Sequence, residues 1–172
     1  MSFTQPKGTS IQISHSGHVI TISLILALAF NLLPWSVDYL WLRPDFLLLV
    51  LLFWLIYQPA RVGLGAAWAL GLLVDLTDGS ILGQHALAYA VTTFALMLLQ
   101  RRMFNFPPWQ QTIHIAGLLL IEQSMSVVVA TFVGDSFHAL QYFSAILTGA
   151  LCWIPLWTVL HSQRTPDAKN PQ

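Results

Sequence analysis

Six apolar stretches, separated by short polar or turn-forming segments, make up most of the 172 residues. They run from about His18 to Trp35, Pro44 to Tyr57, Val62 to Leu76, Leu82 to Leu99, Trp109 to Val133 and His138 to Leu160. A helix that crosses a bilayer needs about 20 apolar residues, with a usual range of about 17–25. The second and third stretches fall short of that. The second reaches it only with Tyr39 and Trp41 seated in the interface, where both residue types are at home; a shorter helix packed inside a bundle is the other option. The pattern predicts an all-α membrane protein with six transmembrane helices over residues 18–160. The polar segments 1–17 and 161–172 lack the apolar content to fold and are expected to be disordered, cytoplasmic ends.

Charge adds orientation. Only 8% of residues are charged and 56% are apolar, against about 25% charged in an ordinary soluble domain. The net charge is zero, so no overall field draws in nucleic acid or anionic lipid. With both ends cytoplasmic, Lys7, Arg61, Arg101, Arg102, Arg164 and Lys169 all lie inside, and Arg43 alone lies outside with Asp38, Asp78 and Asp135. An excess of Lys and Arg on short cytoplasmic segments sets topology, so the reading is N-in, C-in. Ala27-Leu28-Ala29 looks like a signal-cleavage site but lies within the first apolar run, so the first helix is expected to stay uncleaved.

The most informative segment is GLGAAWALGLLVDLTDGSILG, residues 63–83. Gly63, Ala67, Gly71 and Asp75 recur every four residues and share one helix stripe with almost no bulk, fit to receive another helix closely, from this chain or a partner. Asp75, Asp78, Gly79 and Gly83 then form a polar end. An ionised side chain in lipid costs about 2.5–3.5 kcal/mol on insertion scales, so Asp75 is expected to face protein or water. Arg43-Pro44-Asp45 opens the second stretch, with Pro44 placed for a first helical turn, Asp45 for the positive end of the helix dipole, and Arg43 able to pair with Asp38, Asp75 or Asp78. Glu122 sits mid-way along the fifth stretch, with Gln111 and His114 on roughly the same side, a polar wall or a helix-to-helix bond. Arg101-Arg102 followed by Pro107-Pro108 marks a cytoplasmic turn. Pro155 is expected to kink the last helix, with Trp153 and Trp157 beside it as interface anchors or partner contacts. Cys152 reads as a small core residue. No metal-ligand spacing, nucleophile elbow or phosphate loop is present, so no cofactor or metal is implied and an enzyme is not expected.

RPDFLLLVLLFW at 43–54, GLLVDLTDGSILGQHALAY at 71–89 and PWQQ at 108–111 closely resemble the rod shape-determining MreD family over residues 18–160. The resemblance implies an inner-membrane scaffold of the elongasome, the machinery of lateral peptidoglycan synthesis. It implies direct binding to the bitopic protein MreC and, through it, links to the actin-like MreB, the glycosyltransferase RodA and a class B penicillin-binding protein, with a homodimer allowed. It also implies a six-helix fold like the S component of energy-coupling-factor transporters. It carries Arg43, Pro44, Gly71, Asp75, Gly79 and Gly83 over as interaction or pocket positions. The alternative function is a membrane subunit binding a small molecule or lipid-linked precursor.

Overall fold

A computed structural model describes residues 17–33, 42–133 and 139–162. The polar segment 1–16, the tail from 163 onward and the residues Asp38, Tyr39, Trp41, Asp135 and His138 lie outside the described residues. So do Lys7, Arg164 and Lys169. Within them the chain is all-helical: α1 Gly17–Asn31, α2 Phe46–Tyr57, α3 Leu64–Asp78, α4 Gln84–Met103, α5 Pro108–Val133 and α6 Ala139–Ser162. Each predicted stretch holds one helix. Two of them, α5 over Pro108–Phe132 and α6 over Ser144–Ser162, are long and apolar enough to cross a membrane.

The helix α2 lies at the centre. Every residue from Leu47 to Ile56 is buried, as a helix apolar on all sides requires. At 1.5 Å per residue its 12 residues extend only about 18 Å, well short of a hydrocarbon core of about 30 Å. Of the two sequence options, the described residues show the packed short helix. It contacts α1, α4 and α6, while α3 packs on α4, α4 on α5, and α5 on α6.

The core is apolar, as in a water-soluble protein, but so is much of the exterior. Leu76, Leu98, Phe132, Leu147 and Leu151 are among many large apolar side chains exposed, while Asn31, Asp75, Thr92, Thr93, Gln111, Glu122 and Ser126 are buried. A side chain surrounded by lipid gains by being apolar, and a polar one gains by facing its own bundle. This distribution, with the two long apolar helices, marks a membrane protein.

Several boundaries differ from the sequence expectation, and three of them change the reading of a named residue. Helix α2 begins at Phe46, so Pro44 precedes the helix instead of occupying its first turn; Asp45 is the N-cap, its carboxylate accepting from Leu48 N at 3.0 Å. Helix α3 continues past Leu76 to Asp78 and is closed by Gly79 at φ +66°, a left-handed conformation that glycine adopts without a Cβ penalty. Arg101 and Arg102 belong to the last turn of α4, where cations complement the negative end of the helix dipole; the turn itself is 104–107. Trp153 is also not an interface anchor: it is fully buried, with its ring centroid 6.3 Å from that of Phe53. Trp157 donates from Nε1 to the Tyr57 hydroxyl at 2.8 Å and stacks on His161.

Candidate functional site: two carboxylates at one end of the bundle

Arg43, Asp45, Asp75 and Asp78 gather at the end of the bundle where α1 and α3 finish and α2 and α4 begin. Asp45 and Asp75 each organise half of it.

Asp45 Oδ1 accepts from Leu48 N at 3.0 Å and from Asn31 Nδ2 at 2.9 Å. Its other oxygen accepts from the Tyr89 hydroxyl of α4. Asn31 in turn accepts Phe46 N on its Oδ1 at 3.1 Å, and its backbone carbonyl accepts from Arg43 Nη2. One carboxylate therefore caps α2 and ties it to the end of α1 and to α4. Arg43 lies 3.9 Å from Asp78, a loose and partly exposed ion pair. Of the three partners foreseen for Arg43, Asp78 is the one observed among the described residues.

Asp75 is nearly sealed from solvent and is surrounded by donors from the α3–α4 turn. Oδ2 accepts Gly83 N at 2.8 Å and Ala86 N at 3.4 Å; Oδ1 accepts His85 N at 2.8 Å and the Ser80 hydroxyl at 3.0 Å. His85 Nδ1 lies 2.9 Å from the same Oδ1. Gly83 takes φ +100° as it leads into α4, a backbone that aims its N–H back at the carboxylate and that L side chains rarely adopt. The first amides of a helix have no intrahelical partner. Asp75 accepts those of His85 and Ala86 together with that of the capping Gly83, while Gln84 N donates to Ile81 O at 3.0 Å, so a buried carboxylate becomes the clasp of a helix pair.

Ser80, His85 and Asp75 form an apparent hydrolytic triad, and its geometry rules out that role. Ser80 Oγ lies 3.3 Å from His85 Nδ1, the same nitrogen that faces Asp75. A triad needs the carboxylate on one ring nitrogen and the nucleophile on the other, so that the base can take the nucleophile's proton. Here the serine hydroxyl donates to the carboxylate itself.

The small-residue stripe has its partner within the chain. A Cβ added at Gly71 would stand 2.5 Å from Ala86 Cα and 2.6 Å from His85 O. Ala67 and Gly71 are buried against this neighbour, whereas Gly63 caps the start of α3 with open space around it. Glu122 stands apart, buried in mid-α5 with Ser126 donating to its Oε1 at 3.2 Å. The wall expected from Gln111, His114 and Glu122 does not form as a unit. Gln111 Nε2, with two hydrogens to give, lies within hydrogen-bond distance of Met103 O at 2.9 Å and of Phe106 O and the Tyr57 hydroxyl, each at 3.1 Å. His114 pairs with Gln110 O of its own helix at 2.9 Å. Glu122 shares a helix face with Gln111, but eleven residues of rise place them about 16 Å apart. No group of three or more metal-ligating side chains exists among the described residues.

Sequence reasoning missed Asn31, Ser80, His85 and Tyr89. Asn31 had a usable signal, a lone amide at the end of an apolar run; Tyr89 had none.

Two substitutions separate strong from weak elements of this site. Tyr89→Phe removes a buried hydroxyl from a carboxylate and is expected to lower stability by about 1.5–3 kcal/mol. Asp78→Asn, at an exposed ion pair, is expected to change it by less than about 1 kcal/mol. Unfolding midpoints in one detergent check both, and equal effects contradict the assignment.

The model of the family described as rod shape-determining protein MreD matches residues 13–162. A curated relative, the rod shape-determining protein MreD of Haemophilus influenzae, is 29% identical over 129 residues, covering 75% of this chain and 80% of the relative. No solved structure matches. The family match takes in all six helices and both carboxylate centres, and on that ground the chain belongs to the MreD family of rod shape-determining proteins.

Proposed function

We propose that this chain is a non-catalytic, multi-pass scaffold of the bacterial inner membrane that binds MreC directly. Through MreC it joins MreB, RodA and a class B penicillin-binding protein, and so supports lateral peptidoglycan synthesis and rod shape. The observation that carries this reading is the family match over residues 13–162, a family of shape determination associated with the MreB/MreC system and not a known enzyme family. The apolar exterior supports a multi-pass arrangement, and Arg61, Arg101 and Arg102 at one end of the bundle support the N-in, C-in orientation. The short helix α2 then crosses only part of the bilayer, shielded by its neighbours.

In this reading the two carboxylate centres hold the periplasmic end of the scaffold rigid, and the exposed apolar faces of α4, α5 and α6 are available to MreC. Packing and interhelical hydrogen bonds, not hydrophobic drive, supply affinity between helices in lipid. Photocrosslinkers placed singly at the exposed positions Leu98, Phe132 and Leu151 test it in living cells. At least one is expected to capture MreC. If none does, and detergent extracts of the wild-type protein retain no MreC, the scaffold reading fails.

A further inference from the structure

Helices α1 and α6 both pack on α2 and leave between them a groove of about 350 Å³, lined by Leu26, Ala27, Val50, Cys152, Pro155 and Leu156 among others. We propose that this groove holds one acyl chain of an anionic phospholipid of the cytoplasmic leaflet, with its phosphate at Arg61. The inference rests on the N-in, C-in orientation proposed above.

The wall excludes a polar ligand. Its one hydroxyl, Ser23, donates to Ile20 O at 2.8 Å and accepts from Trp54 Nε1 at 2.7 Å, so it is already engaged by the protein. Every other lining group is hydrocarbon or the Cys152 thiol. A flexible hydrocarbon chain can lie along an open groove whose wall is almost wholly apolar. The outer end is bounded by Phe30 and Phe46, whose ring centroids lie 5.8 Å apart. The inner end passes Val159 and Leu160 toward the last turn of α6.

Charge identifies the head group. Arg61, in the α2–α3 turn, is exposed and carries no carboxylate within ion-pair distance among the described residues. Its guanidinium reaches the start of α1: a Cβ added at Gly17 would meet its Nη1 at 3.2 Å. Six residues of α1, about 9 Å, then separate Gly17 from Ser23 at the groove. A cation about two helical turns beyond the inner end of an apolar groove suits a phosphate whose chain runs from it into the groove.

Native mass spectrometry of the full chain, titrated with phosphatidylglycerol or phosphatidylcholine, provides the first test. The first phosphatidylglycerol is expected to bind more tightly than phosphatidylcholine, and Arg61→Gln to weaken it about fivefold, the weight of one basic residue at an anionic surface. Arg61→Lys should retain binding. The location is read from Cys152, the chain's single cysteine: phosphatidylglycerol is expected to slow its alkylation by N-ethylmaleimide in the wild type. Unchanged affinity in Arg61→Gln, equal protection by phosphatidylcholine, or an alkylation rate indifferent to lipid each overturns the proposal. So does a peptide segment or second copy found crosslinked at Cys152. None of these readouts depends on MreC, so a failure here leaves the scaffold reading standing.

Discussion

Gly71→Leu is expected to prevent this protein from folding, while Gly65→Leu, six residues away on the exposed side of the same helix, is expected to be tolerated. At Gly71 even a methyl would lie 2.5–2.7 Å from Cα, N and carbonyl atoms of Ala86 and His85. Those atoms are helix backbone and cannot rotate aside as a side chain can. The two helices would have to separate, and with them Asp75 would lose Gly83, His85 and Ala86. Overpacking a fitted core costs about 1–3 kcal/mol and more when backbone must move; here at least about 3 kcal/mol is expected, a large part of a typical total stability. A Cβ at Gly65 meets nothing within 4 Å. Membrane-fraction yield and the detergent unfolding midpoint measure both variants. The sequence alone left open that this stripe receives a partner helix. Its contact with α4 makes any loss of the proposed MreC contact in Gly71→Leu a consequence of misfolding, to be seen only with loss of the protein itself.

Asp75→Ala is expected to produce the second large loss. The substitution removes the acceptor for three backbone amides and a hydroxyl within the α3–α4 turn. A buried donor left without a partner costs about 1–3 kcal/mol, and water entering the widened space recovers part of that, so a net loss of about 3–5 kcal/mol is expected. Ser80→Ala, which removes one donor and leaves the amides satisfied, is expected to cost about 1 kcal/mol. Hydrogen exchange adds a local readout: Gly83, His85 and Ala86 amides should exchange faster in Asp75→Ala, with α5 unaffected. Unchanged protection at those three amides contradicts the clasp.

Much of this arrangement was legible because it is written in local pattern. Continuous apolar runs gave six helices, and the period-four stripe gave the inward face of α3 correctly at Ala67, Gly71 and Asp75. Helix ends were less legible. Proline at 44 suggested a first turn, yet Asp45 can cap only if the helix starts after it. Arg101 and Arg102 suggested a turn, yet they serve equally well at the end of a helix. The partners of the carboxylates were not legible at all. Tyr89 meets Asp45 across 44 residues and His85 meets Asp75 across ten, and no periodicity within one helix reports a contact between two. Trp153 shows the same limit: tryptophan near a helix end fits an interface, and only tertiary packing places it against Phe53.

Everything functional here depends on how the bundle sits in the bilayer. In a Cys152→Ser background, single cysteines at Ala60, Leu82 and Asn105 sample the three described turns between α2 and α5, and a membrane-impermeant maleimide applied to intact spheroplasts reads their side. The account predicts labelling at Leu82 alone, with Ala60 and Asn105 reacting only after the membrane is opened. Labelling of Asn105 from outside, or of all three positions alike, contradicts it.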